Sequence, residues 1–227
     1  METIRQIFDL LFGVNPELRQ IIWVTLRMSF FSTLISSVIG IPLGVLIGSN
    51  QFKGKRLLNR ILSTLMGLPP VVAGLIVFLF LSRSGPLGTL KLLYSVTAMV
   101  IAQVVLITPI MTGLTANLIS IKAPLIRETA AGIALTPLKR MLFTIYEVRV
   151  QLISTILVGF GRAIAEVGAV QMVGGNVQFK TRVMTTAIMM QTNMGHFEFA
   201  IALGIVLLLI AFLINSLVNR IQDRQIT

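Results

Sequence analysis

Apolar residues in this chain come in long uninterrupted blocks. Residues 28–52, 61–82, 92–121 and 199–219 contain no charged side chain. A helix needs about 20 mostly apolar residues to cross roughly 30 Å of hydrocarbon. The pattern therefore predicts an all-α, multi-pass membrane protein with about five transmembrane helices. The predicted spans are residues 21–48, 61–81, 93–118 and 200–217, with one more starting near residue 150 and running on through GFGRAIAEVGAVQMV. Pro69 and Pro70 should kink or break the second span, because each proline removes an N–H donor and crowds the preceding turn. Pro109 lies inside the third.

The amphipathic segments fall between and before these blocks. Ile4, Ile7, Phe8, Leu11 and Phe12 recur at helical spacing with Arg5 and Asp9 opposite them. That predicts an interfacial helix within residues 1–19, ended at Asn15-Pro16, where the next helix starts. Residues 119–150 keep a helical period but carry seven charged side chains, Lys122, Arg127, Glu128, Lys139, Arg140, Glu147 and Arg149. They should lie outside the hydrocarbon. No repeat or linker interrupts the rest, so residues 20–219 read as one transmembrane domain followed by a tail, 220–227. The opening run is too short and too acidic for a cleavable leader.

Composition sharpens this picture. Charged residues make up 12% of the chain and hydrophobic ones 55%, against about 25% charged in a soluble domain. The net charge of +11 is uneven. The 50–60 loop, the 119–150 segment and the tail hold eleven Lys and Arg, and the opposite loops hold six. The positive-inside rule places the first set in the cytoplasm, with the N-terminus outside and the C-terminus inside. These cations read as lipid-headgroup contacts. No basic stretch alternates with aromatics as a nucleic-acid platform would. Cysteine is absent and His196 is the only histidine, so no metal site is expected. The methionines 184, 189, 190 and 194 read as adaptable packing.

Four features carry candidate chemistry. GGNVQFKTR, residues 174–182, is one residue away from a phosphate-binding loop, with Phe179 where the second glycine belongs. A helix precedes it where a strand is needed, and phenylalanine should resist the backbone conformations that glycine supplies. A nucleotide site is not expected. Gly40, Gly44 and Gly48 share one helix face and read as close helix packing, or alternatively as lining of a path. Arg162 and Glu166, four apart inside a span, are either a buried bridge or a gate on a path. Arg27, near one end of the first span, snorkels to the interface or draws an anion toward it.

The segment RETAAGIALTP, residues 127–137, resembles the E-A-A-x-x-x-G signature of binding-protein-dependent ABC importer permeases. Glu128 and Ala130 match it, Thr129 replaces its first alanine, Ala134 stands where glycine is usual, and Pro137 follows. The stretch from residue 159 to 195 resembles the oxyanion permeases of that superfamily. With FGRAIAEVGA, VGGN and TRVMTTAI, it is most like the tungstate branch.

The resemblance implies a type I ABC importer permease fold, with a cytoplasmic coupling helix in residues 119–144 that docks on an ATPase. It implies three partners: a second copy of the chain in a homodimer, a cytoplasmic ABC ATPase dimer and an external substrate-binding protein. ATP hydrolysis would belong to the ATPase, so this chain would be no enzyme and would need no cofactor. Thr108, Thr112, Thr185 and Thr186 are then candidates for the path, since an anion in transit is better served by hydroxyls than by fixed lysines. Glu166 would repel an oxyanion and is no ligand for it. A molybdate or sulfate permease of the same group, and a passive anion channel or secondary transporter, are the competing readings. A membrane protease using Glu166 or Glu147 fails on inventory, with one histidine and no H-E-x-x-H.

Overall fold

A computed structural model of the chain describes residues 15–131 and 136–223, with the side chains of 123–131, 137, 222 and 223 outside that description. Among the described residues all regular structure is helical. The order is α1 Pro16–Ser49, α2 Lys55–Met66, α3 Pro70–Leu81, a 3-10 turn Gly88–Leu90, α4 Val96–Ala131, α5 Pro137–Glu147, α6 Arg149–Ile164, α7 Gly168–Gly174, α8 Met184–Asn193 and α9 Phe197–Asp223.

Local sequence explains the main boundaries. Asn15 caps α1, its Oδ1 accepting from the N–H groups of Glu17 (3.0 Å) and Leu18 (3.1 Å). Pro16 and Glu17 suit the first turn, one by its fixed φ and the other by its charge. The predicted interfacial helix lies in residues 1–14, outside the described residues. Among the described residues three helices are long and apolar enough to cross a membrane, Pro16–Ser49, Val96–Lys122 and Phe197–Ile221. The number rises to five if each of two broken pairs, Lys55–Met66 with Pro70–Leu81 and Leu138–Glu147 with Arg149–Ile164, forms one span. The chain breaks at Gly67–Pro69, and Pro70 opens α3. With 12 residues, α3 is about 18 Å long and cannot span a bilayer alone.

Two boundaries differ from the sequence reading. The fourth span is not continuous through GFGRAIAEVGAVQMV, because helix α6 stops at Ile164 and α7 begins at Gly168. A hydrogen-bonded junction around Glu166, described below, takes the place of the missing turn. The chain also does not change element at residue 119. Helix α4 runs on to Ala131, because Ile119 is fully buried and continues its apolar stripe. The separate amphipathic helix is α5, which meets α6 at a bend of 78°.

The chain forms two compact units. The first gathers the described residues of Met1–Ser32, Pro69–Gln103 and Gly161–Ile214. Ile21, Met28, Met99, Val170, Met184 and Leu203 are among its most buried side chains. Here α3 lies directly along α7. A Cβ at Gly74 would stand 2.7 Å from the Ala169 Cα, so no larger residue fits that approach. The second unit gathers Thr33–Leu68, Val104–Phe160 and the described part of Asn215–Thr227. Its core is Ile41, Val45, Ile119, Val148 and Leu152, with Met141, Phe143 and Ile145 of α5 packed against it.

The exterior is apolar along the longest helices. Phe30, Phe31, Leu34 and Val38 of α1, and Leu208, Leu209, Phe212 and Leu213 of α9, are all exposed. Such large apolar faces are stable against lipid tails, where no water has to be ordered around them.

Candidate functional site

In the first unit, polar side chains gather where α6 gives way to α7. A helix end leaves carbonyls and N–H groups without intrahelical partners, and in an apolar surrounding each needs a partner. Three side chains supply them. Glu166 is 3% exposed, and its Oε1 accepts from the N–H of Ala169 at 3.2 Å in the first turn of α7. Gln103 of α4 donates through Nε2 to the Ala163 carbonyl at 2.7 Å, and Ser32 of α1 donates to Gln103 Oε1 at 2.6 Å. Thr185 of α8 donates to the Glu166 carbonyl at 2.7 Å. Three helices, α1, α4 and α8, are thus tied to the α6–α7 junction by side chains that are each nine-tenths or more buried.

Arg162 completes the group. Its Nη1 lies 3.3 Å from Glu166 Oε2, and its side chain is 40% exposed. The carboxylate is therefore engaged on both oxygens, by a backbone N–H and by a guanidinium. Arg162 has donors beyond this contact, because a guanidinium carries five N–H groups in a fixed fork, and its side chain is the one of the pair that solvent reaches. The arrangement is a neutralised pair whose cationic member alone is accessible.

The structure places the other predicted residues as follows. Thr186 is fully buried and serves the loop before α8, donating to Asn176 Oδ1 at 2.9 Å and accepting from the N–H of Val183 at 3.2 Å. In the second unit, Thr112 donates to the Thr108 carbonyl at 2.8 Å, and Thr108 to Ser36 Oγ at 3.3 Å. Gly40, Gly44 and Gly48 face α4, where an added Cβ would stand 2.7, 2.5 and 2.7 Å from the Cβ atoms of Met111, Thr115 and Ile119. Glu128, Thr129 and Ala130 fall in the last turns of α4, with their side chains outside the described residues. Ala134 lies wholly outside them, and Pro137 opens α5. Arg27 is exposed on α1, and exposed His196 meets Gln191 Oε1 through Nδ1 at 2.9 Å.

The phosphate-loop lookalike is organised in a way its sequence does not reveal. Phe179 does adopt the left-handed conformation, at φ 56°, as does Asn176 at φ 50°. The expectation that phenylalanine would refuse it is corrected. The N–H groups of Lys180, Thr181 and Arg182 all converge on the Val177 carbonyl at 3.1, 2.9 and 3.1 Å. Thr181 also binds back, donating to the Gly174 carbonyl at 2.6 Å and accepting from the N–H of Val177 at 3.0 Å. The amides that would cradle a phosphate are engaged inside the loop. Arg182 then pins the loop to α1 through an ion pair with Glu17 Oε1 at 2.6 Å.

Comparison with known proteins places these features in a wider set. Residues 40–227 match the family described as binding-protein-dependent transport system inner membrane component. The tungstate uptake system permease protein TupB of Peptoclostridium acidaminophilum is 40% identical over 222 residues, covering 98% of this chain and 97% of that protein. TupB of Campylobacter jejuni subsp. jejuni is 38% identical over 218 residues, covering 96% and 91%. Among solved structures, the MetNI methionine ABC transporter in inward-facing conformations matches with a TM-score of 0.59. That match covers 93% of this chain and 96% of that one at 21% identity, and it supports the fold.

Proposed function

Because this chain belongs to the family of binding-protein-dependent transport system inner membrane components, we propose that it is the membrane subunit of an ATP-driven importer and forms the path of tungstate through the bilayer. The observation that carries the choice of tungstate is the 40% identity, over nearly the whole of both chains, with a tungstate uptake permease. The working complex is two copies of the chain, a cytoplasmic ABC ATPase dimer that hydrolyses ATP, and an external binding protein that delivers the anion. The N-terminus lies outside and the C-terminus inside. Residues 119–144, with Glu128, Thr129, Ala130, Ala134 and Pro137, form the contact through which the ATPase drives the spans.

Arg162 and Glu166 act as a gate in this reading. A fixed, unpaired cation on the path would hold a dianion too tightly for it to leave. Pairing with Glu166 tempers Arg162, which still offers hydrogen-bond donors to a passing oxyanion. In the first unit Thr185 and Thr186 hold the elements around this gate through their hydroxyls, and in the second unit Thr108 and Thr112 are the hydroxyl candidates for the path.

The test is uptake into proteoliposomes that hold this chain with a candidate ATPase and binding protein. ATP-dependent tungstate uptake, barely reduced by excess molybdate or sulfate, is expected. Uptake without ATP would turn the assignment to a channel or secondary transporter, and equal uptake of molybdate or sulfate would overturn the choice of cargo. Orientation has its own test. Gln178 is exposed in the loop before α8, so Gln178→Cys should react with an impermeant maleimide added to intact cells. Reaction only after the membrane is opened would invert the topology.

A further inference from the structure

The segment joining α3 to α4 plays no part in the gate or the coupling contact, yet it is built with care. It borders a half-open cleft of about 830 Å3, a size in the range of small-molecule sites, whose nine lining residues include Ser82, Arg83, Thr89, Lys91 and Tyr94. Two of these residues are cations and none is an acid. Neither the Arg83 guanidinium nor the Lys91 ammonium has an ion-pair or hydrogen-bond partner among the described residues. Hydroxyls of Ser82, Thr89 and Tyr94 accompany them on the lining, and Phe78, Leu81 and Leu93 give it an apolar side.

The walls are fixed by the backbone. The N–H of Leu87 binds the Phe80 carbonyl at 3.0 Å, that of Gly85 binds Ser82 at 2.8 Å and that of Lys91 binds Gly88 at 3.2 Å. Lys91 and Tyr94 both stand in the left-handed region, at φ 49° and 59°, which residues with a Cβ seldom occupy. Tyr94 is anchored twice, by its N–H to the Val173 carbonyl at 2.9 Å and by its ring against Gly175, where a Cβ would stand 2.6 Å away. The cations are thus carried on a preformed frame.

Position in the bilayer narrows the ligand. Val71, Val72, Leu75, Ile76, Leu79 and Phe80 of α3 are all exposed apolar side chains, a face suited to hydrocarbon. Arg83, two residues after Leu81, is the first charged side chain beyond that apolar face, as expected where hydrocarbon gives way to headgroups. A cationic pocket with an apolar side at that depth matches the phosphodiester of an anionic lipid. We propose that the cleft binds a tetrahedral oxyanion group between Arg83 and Lys91, supplied by the phosphate of an anionic phospholipid headgroup. A free oxyanion from water offers the same chemistry and is the alternative source. The proposal requires only that the chain is embedded in a membrane, whatever it carries.

The full-length chain, purified in mild detergent and stripped of lipid, is titrated with phosphatidylglycerol, with phosphatidylcholine and with inorganic phosphate, and bound ligand is read by native mass spectrometry. Phosphatidylglycerol should bind in preference to phosphatidylcholine. The preference should weaken about fivefold in each of Arg83→Gln and Lys91→Gln, and about thirtyfold in the double variant. It should persist in Lys180→Gln, which removes an exposed cation from a different loop. Phosphate binding without lipid, lost in the double variant, assigns the site to a free oxyanion. Equal binding of the two lipids together with no phosphate binding overturns the proposal on the wild-type chain alone, even if the double variant fails to fold. Unchanged binding in a folded double variant overturns it too.

Discussion

Helices approach one another in two different ways within this chain. In the second unit, Gly40, Gly44 and Gly48 of α1 meet Met111, Thr115 and Ile119 of α4 with no room for a Cβ between them. In the first unit, α1, α4 and α8 are held at the α6–α7 junction by Ser32, Gln103, Thr185 and Glu166. The glycine seam gains from dispersion over a close backbone approach, the main attraction left between helices in lipid. The junction gains from satisfying polar groups that would otherwise be stranded. A seam of this kind fails when something is added to it, and a junction of the other kind fails when something is removed.

The largest effect is therefore expected from adding bulk to the seam. At Gly44 even a Cβ would stand 2.5 Å from Thr115 Cβ and 2.7 Å from the Thr112 carbonyl oxygen, which is backbone and cannot swing away. Gly44→Leu should lower stability by about 3 kcal/mol or more, visible as a collapse in melting temperature and yield of the detergent-purified chain. The matched control is Gly161→Ala in α6, where a Cβ meets nothing within 4 Å. It should melt at or slightly above the wild-type temperature, since alanine is the better helix former. If both variants melt alike, the seam is not a packing contact.

Next comes the removal of the carboxylate. Glu166→Ala leaves the N–H of Ala169 buried without its acceptor and Arg162 without its partner. A loss of roughly 1–3 kcal/mol is expected from the orphaned donor, with little added by the ion pair, because Arg162 is 40% exposed and screened. Glu166→Gln keeps an oxygen for Ala169 and should recover most of that stability. Comparing the two separates cap from charge. If glutamine melts as low as alanine, the ion pair and not the cap holds the junction. If glutamine melts like the wild type but abolishes ATP-driven uptake, the charge serves transport and not folding.

These two regions also differ in how far the sequence exposes them. Long uncharged blocks declare helices in lipid, and Asn15-Pro16 and Pro69-Pro70 declare boundaries, because capping and proline sterics are local. The spacing of Gly40, Gly44 and Gly48 puts them on one face by helical geometry alone, but nothing in it names α4 as the neighbour. The α6–α7 break is different. AIAEVGAV contains no proline, and its single glycine does not mark a stop, so the period reads straight through it. The turn is interrupted because Gln103 lies 60 positions from Ala163 and Thr185 lies 19 from Glu166, and such partners do not appear in any local window. Phe179 makes the same point. Its left-handed backbone is held by Thr181 and by three amides on one carbonyl, a tertiary arrangement that outweighs the preference of the residue.

The smallest of the expected effects tests the junction where it is most delicate. Thr185→Val keeps the shape and β-branching of the side chain and deletes only the hydroxyl that donates to the Glu166 carbonyl at 2.7 Å. That carbonyl sits in the broken turn, where no helical N–H reaches it. Losing one neutral hydrogen bond should lower stability by about 0.5–1.5 kcal/mol, a shift of a few degrees at most for a chain of this size. Its diagnostic value lies in combination with Glu166→Ala. If the junction is one network, the double variant should lose less than the sum of the single losses, because the first deletion already loosens the turn that the second depends on. Strict additivity would mean that Thr185 and Glu166 act as separate contacts on adjacent helices. The contrast between a seam that excludes atoms and a junction that shares them would then be too simple.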